Sequence, residues 1–200
     1  MLRLILPAAS YILGSIPFGF LIVYGVKKVD IRKFGSGNIG ATNVVRVLGK
    51  KWGILVFFLD FLKGFAAPAV SAYLLSRNSD FVIVLSAVLV VCGHNWTCFL
   101  KFKGGKGVAT SLGAVAALSF IFPAIWIALI VALVTWVVVF RISKYVSVAS
   151  LAASAVFLIF TLVSALPWEI KLFSLLLFVF IVIRHKKNIY DLVSKKERSF

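Results

Sequence analysis

The feature that most constrains this chain is a succession of apolar runs, each close to bilayer-crossing length, joined by short polar connections rich in lysine and arginine. A hydrocarbon layer about 30 Å thick is crossed by about 20 helical residues. The runs hold interspersed Gly, Pro, Trp and Phe and are far longer than the roughly 10-residue strands of an outer-membrane barrel, so they read as helices. Hydrophobic residues make up 62% of the chain and mean hydropathy is +1.08, which excludes an ordinary soluble domain. The expected fold is an all-α integral membrane protein of seven transmembrane helices, at 4–26, 52–76, 81–100, 107–122, 124–140, 148–166 and 170–183. The 200 residues leave nothing over for a soluble domain, so 1–200 reads as one transmembrane domain. Pro123 is expected to separate two spans rather than to kink one, and the first span, which runs past signal-peptide length without a clear cleavage site, is read as a mature helix.

Charge placement supports the count of seven. With that count, one side of the membrane holds only Arg3 and Arg77. The other side collects Lys27, Lys28, Arg32, Lys33, Arg46, Lys50, Lys51, Lys101, Lys103, Lys106, Arg141, Lys144, Arg184, Lys186, Lys187, Lys195, Lys196 and Arg198. Basic residues accumulate on the cytoplasmic side, so the N terminus is expected outside and the C terminus inside. The net charge of +16 could suggest nucleic acid, but the charges lie near helix ends, where anionic lipid headgroups are the natural partner. Cys92 and Cys98, six apart within one span, have neither metal nor redox spacing and read as reduced packing residues.

Chemistry is then sought on the basic face. Residues 35–46, GSGNIGATNVVR, form a small, polar, glycine-dense segment. Gly35, Gly37 and Gly40 permit positive backbone dihedrals, so successive amides can converge on an anion. Ser36, Asn38, Thr42 and Asn43 add neutral hydrogen-bonding groups, and Arg46 a bidentate phosphate contact. Gly35 and Gly40 have the spacing of a nucleotide P-loop, but Ala41 stands where that motif needs lysine and no strand precedes it, which excludes nucleotide hydrolysis. A second candidate is 101–111, KFKGGKGVATS, where Gly104, Gly105 and Gly107 surround Lys106 at the start of a helix. Open amides at a helix N terminus beside a lysine would form another anion site.

Two further segments carry polar groups. Ser143 and Ser147 are four apart, on one face if helical, with Tyr145 as an interfacial anchor; either serine could equally be a cap. His185 and Asn188 are three apart and face one site if the tail continues the last span. Asp60 and Lys63, i,i+3 inside the second span, read as a mutually neutralising pair turned into the bundle with a structural role, since unpaired charges there would be costly.

GSGNIGATN with Arg46, DFLKG in span two, the Gly93-His94 pair running into FKGGKGVAT, KYVSVAS and the RHKKNI tail together resemble the bacterial acyl-phosphate:glycerol-3-phosphate acyltransferase family over nearly the whole chain. Asn95, Trp96, Thr97 and Cys98 replace the family's more usual segment after the His, and Asp191 stands where it commonly has a basic residue. The resemblance implies a seven-helix enzyme of the bacterial inner membrane, with its site on the cytoplasmic face. It would move a fatty acyl group from acyl phosphate to the 1-hydroxyl of sn-glycerol 3-phosphate, giving lysophosphatidic acid and phosphate, the first acylation of phospholipid synthesis.

An acyl phosphate is already activated, so no cofactor, coenzyme A site or metal is expected, and placement with electrostatics can carry the reaction. Ser36, Asn38, Arg46 and Lys106 are expected to be catalytic. Gly35, Gly37, Gly40, Thr42, Asn43, Gly104, Gly105, Ser143, Ser147, His185 and Asn188 are expected to bind substrate. The expected partners are the two substrates and membrane lipids, with neither nucleic acid nor an obligate protein partner. His94 is followed five positions on by Phe99 and His185 by Tyr190, so neither has the His/Asp spacing of other glycerol-phosphate acyltransferases, and the substrate's own phosphate is the expected proton acceptor. A small transporter would show an internal repeat and midplane sites, and a metal-dependent lipid phosphotransferase an aspartate cluster; Asp30, Asp60, Asp80 and Asp191 are dispersed.

Overall fold

Helices occupy all seven predicted segments, with ends within a few residues of the expected ones. The computed structural model describes residues 1–75, 79–197 and 199, so Arg77 and Arg198 lie outside the described residues. In chain order the helices are α1 (Leu2–Ser15), α2 (Phe18–Lys27), α3 (Ala41–Leu48), α4 (Lys50–Leu75), α5 (Asp80–Asn95), α6 (Val108–Ile121), α7 (Ile125–Ser143), α8 (Val146–Val163), α9 (Trp168–Arg184) and α10 (Lys186–Val193). No strand occurs among the described residues. Five segments are long and apolar enough to cross a membrane: Leu2–Lys27, Lys50–Leu75, Asp80–Leu100, Ile125–Ser143 and Val146–Val163. α6 and α9 are shorter, at 14 and 17 residues. Helix stops at Ile121 and resumes at Ile125, so Pro123 does separate two helices.

The chain divides into two compact units, Met1–Ala117 and Leu118–Phe200. In the first, the predicted single span at 4–26 is broken. Pro17 lacks an N–H and drives Ile16 out of the helical region, to φ −59° and ψ 114°, so α1 ends at Ser15 and α2 begins at Phe18. The carbonyls released by the break find donors: the Thr97 hydroxyl donates to Ser15 O at 2.5 Å, and the Lys63 ammonium to Ile16 O at 2.8 Å. That compensation is what allows a broken helix in an apolar environment.

α1 packs along α5, where a Cβ at Gly14 would fall on the Val90 carbonyl and one at Gly93 on the Tyr11 carbonyl, so the two backbones lie in contact. The Asp60–Lys63 pair forms as expected, 2.9 Å apart and almost wholly buried. In the second unit α7, α8 and α9 pack in sequence, and α10 follows α9 after one non-helical residue, His185. Cys92 and Cys98 are both free and half-buried.

Candidate functional site

In the first unit, residues 28–48 rest on a core of Val23, Ile31, Ile39, Val44 and Val56. Asp30 opens a 3-10 turn at Ile31–Lys33 by accepting from the Arg32 amide, and its carboxylate also takes the Arg32 guanidinium at 2.7 Å. The Arg32 guanidinium beside Asp30 holds its carboxyl below the usual carboxylate range. Gly35 at φ 59° and Gly37 at φ 73° then turn the chain through conformations that side chains rarely adopt. Gly40 differs from the expectation: its φ is −79°, and it serves as the N-cap of α3, where no side chain caps the helix.

Asn43 holds this turn together rather than presenting itself to a ligand. It is buried; its Oδ1 accepts from the Ser36 amide at 2.9 Å, and its Nδ2 donates to Phe34 O at 3.0 Å and Asn38 O at 2.8 Å. Asn38 Oδ1 takes the Gly40 amide at 2.8 Å, and Gly37 N donates to Phe34 O at 2.9 Å. Three of the amides expected to meet an anion are therefore engaged within the loop. Those that begin α3, at Ala41 and Thr42, have no helical acceptor behind them, because the first turn of any helix leaves its N–H groups open. They and the helix dipole give this segment the electrostatics that suit an anion. Arg46 stands exposed one turn further on, and Ser36, Asn38 and Thr42 are half-buried around the turn.

The second glycine segment uses its glycines in two ways, since Gly107 turns at φ 80° while Gly104 and Gly105 permit close packing. Gly104 N donates to Asn95 O and Gly105 N to His94 O, so these two amides are spent on the end of α5, while the first turn of α6, from Val108, leaves its own without helical acceptors. A Cβ at Gly104 would strike those same carbonyls, and one at Gly105 would fall on the His94 ring. These glycines allow close approach, and what they carry is half-buried Lys106. His94 in turn lies 3.4 Å from Asp60 Oδ1 through Nδ1, so the pair expected in span two is a buried group of three.

In the second unit, the expected common helical face of Ser143 and Ser147 does not exist. α7 ends at Ser143, Lys144 turns left-handed at φ 62°, and α8 starts at Val146. Ser143 Oγ caps the turn by accepting from the Tyr145 amide at 3.2 Å. Ser147 is buried and donates to Glu197 Oε1 at 3.2 Å, and Asn188 Nδ2 donates to the same oxygen at 2.5 Å. The tail is not a plain continuation of the last span, since His185 interrupts it. His185 is buried and its Nδ1 meets Ile181 O at 2.8 Å; a carbonyl only accepts, so Nδ1 carries the proton.

Sequence reasoning missed Glu197 and the His94–Asp60 contact. Glu197 is one of six acidic residues and follows two lysines, a local signal of a polar partner for the tail; the approach of His94 to Asp60, from different helices, has no local signal.

These features define an all-helical integral membrane protein with open amides at one helix start and a lysine-bearing glycine loop. The glycerol-3-phosphate acyltransferase family matches residues 4–195, and the chain belongs to that family. It is similar to the glycerol-3-phosphate acyltransferase of Aquifex aeolicus (strain VF5), 42% identical over 200 residues and covering all of both chains. It is also similar to that of Wolbachia pipientis subsp. Culex pipiens (strain wPip), 44% identical over 202 residues with full coverage of both. Among solved structures it resembles PlsY (YgiH), an integral membrane glycerol 3-phosphate acyltransferase, in its glycerol 3-phosphate form, with TM-score 0.89, 40% identity and coverage of 99% of this chain and 95% of that one. The lysophosphatidic acid form of the same protein gives TM-score 0.86 at 39% identity, with the same coverage.

Proposed function

We propose that this protein transfers a fatty acyl group from acyl phosphate to the 1-hydroxyl of sn-glycerol 3-phosphate, releasing lysophosphatidic acid and inorganic phosphate. The observation that carries the reading is the 35–46 segment: a turn closed by Asn43 that delivers the open amides of Ala41 and Thr42 at the start of α3, in a chain of the glycerol-3-phosphate acyltransferase family. Phosphate is a good leaving group from an acyl carbon. The protein's task is to hold the anion, neutralise the charge gathering on the departing oxygen and aim the glycerol hydroxyl.

Ser36, Asn38, Thr42, Arg46 and Lys106 supply phosphate contacts, while Gly35, Gly37, Asn43, Gly104 and Gly105 shape the segments that present them. Gly40 starts α3 and so sets where its amides point. Ser143, Ser147, His185 and Asn188 are assigned to glycerol 3-phosphate. The proton of the attacking hydroxyl passes to a substrate phosphate oxygen. Whole-chain catalysis as one domain, seven crossings, an outside N terminus and a cytoplasmic site in a bacterial inner membrane belong to the same proposal; the 18 basic residues assigned to one side support the orientation.

The test is phosphate release from acyl phosphate by the purified protein in lipid discs. Release that requires glycerol 3-phosphate and matches lysophosphatidic acid formed mole for mole is the expected result. Release independent of glycerol 3-phosphate, or none, rejects the reading. Within it, His185→Gln should raise KM for glycerol 3-phosphate and keep the ascending limb of the pH profile, near the second phosphate ionisation at about pH 6.

A further inference from the structure

The buried group of Lys63, Asp60 and His94 has more parts than charge neutralisation needs. Lys63 is already satisfied by Asp60 at 2.9 Å and Ile16 O at 2.8 Å, with its ammonium 5.4 Å from the centre of the Phe18 ring. Asp60 nevertheless also meets His94, on another helix, at 3.4 Å. The three side chains are 2%, 4% and 5% exposed, so no substrate reaches them through solvent. Beyond His94 the contacts continue into the glycine loop. The imidazole lies against Gly105 closely enough that a Cβ there would fall on Nε2, and the carbonyls of His94 and Asn95 receive the amides of Gly105 and Gly104. The next residue is Lys106.

We propose that Asp60 and His94 are positioning residues for Lys106: the carboxylate fixes the imidazole ring, and the ring is the platform against which Gly104 and Gly105 set the lysine. The inference rests on the phosphate contact assigned above to Lys106. His94 is not the catalytic base in this arrangement, because one ring nitrogen faces Asp60 and the other is covered by the Gly105 backbone. An ion pair serving the membrane segment alone would require neither the ring nor a residue without a side chain at 105.

The experiment is a kinetic double-mutant cycle on the full chain in lipid discs, with the intrinsic tryptophan thermal transition as a folding control. His94→Ala should lower kcat/KM about 10- to 100-fold, the scale on which misplacing a reacting group by about 1 Å acts. The loss should fall in the same constant, kcat or KM, that Lys106→Ala changes. In a Lys106→Ala background the same His94→Ala change should cost less than about threefold, since a residue that acts through another has nothing left to act on. Equal losses in both backgrounds, with Lys106→Ala itself costly, overturn the positioning role and leave the proposed function intact. A harmless Lys106→Ala removes the phosphate contact, and the inference with it. Should His94→Ala not fold, Gly105→Ala gives the second reading: it should impair turnover while the ring is present, and an equal impairment in a His94→Gln or His94→Asn background, where the side chain is smaller, overturns the proposal.

Discussion

The two glycine-rich basic segments, 35–46 and 101–107, look alike in composition and do different work. In the first, Gly35 and Gly37 supply positive backbone angles, Asn43 gathers Phe34, Ser36 and Asn38, and the result is a helix start with open amides. In the second, Gly104 and Gly105 have ordinary backbone angles and are small because α5 lies against them, and their amides are already bonded. A glycine can thus report a required dihedral or a required absence of side chain. The first kind dominates 35–46, and both occur in 101–107, where Gly107 turns at φ 80°.

The largest effects should come from the two cations. Arg46→Ala and Lys106→Ala should each cost on the order of 2–5 kcal/mol in kcat/KM, with Arg46→Lys also impaired because an ammonium does not reproduce a bidentate contact. Losses under tenfold in both alanine variants would put these side chains at the lipid surface.

Next in size is a contrast between Gly35→Ala and Gly105→Ala. The first meets both a positive φ and Asn43 Oδ1, so it should stay impaired in an Asn43→Ala background, by about 1–3 kcal/mol from the backbone alone. The atoms nearest the second are those of the His94 ring, so it should cost no further turnover in a His94→Ala background, which paired activity assays would reveal. An added loss in both backgrounds, or in neither, would erase the distinction drawn between the segments.

Asn43→Ala itself should lower stability by about 1–3 kcal/mol, since it strands the Ser36 amide and two carbonyls, while Gly40→Ala should be mild because φ −79° suits any residue. Thermal unfolding in detergent separates the two. An Asn43→Ala protein as stable as the wild type would mean that the loop closes without its brace.

The smallest effect is expected at Asp30. Its folded-state pKa is depressed, so the Arg32 contact contributes stability above the unfolded carboxylate value near 3.8 and loses it as pH falls through the lower folded value. Asp30→Asn should therefore reduce stability slightly at neutral pH and converge with the wild type in acid; a constant difference down to the lowest pH would assign the effect to the turn alone.

Much of this was legible in the chain. Helix positions, the break at Pro123, the Asp60–Lys63 pairing and both glycine segments follow from local signals: hydropathy over about 20 residues, proline's missing N–H, i,i+3 spacing and clustered glycine. The break at Pro17 is equally local, but the apolar run that continues across it masks the signal. The shared face of Ser143 and Ser147 failed for a related reason, since helical spacing holds only within a helix, and Lys144 ends this one.

Sequence by itself determined that this is an all-helical membrane protein, where its helices lie and which segments have the composition to meet phosphate, because each depends on residues close together along the chain. Tertiary structure alone decided which amides remain open, that Asn43 is a brace, that Glu197 joins Ser147 to Asn188, and that His94 meets Asp60 while backing Gly105. Those outcomes turn on hydrogen bonds and steric contact between segments distant in sequence, where a shift of an ångström decides whether a donor is spent or free and no local pattern records the choice.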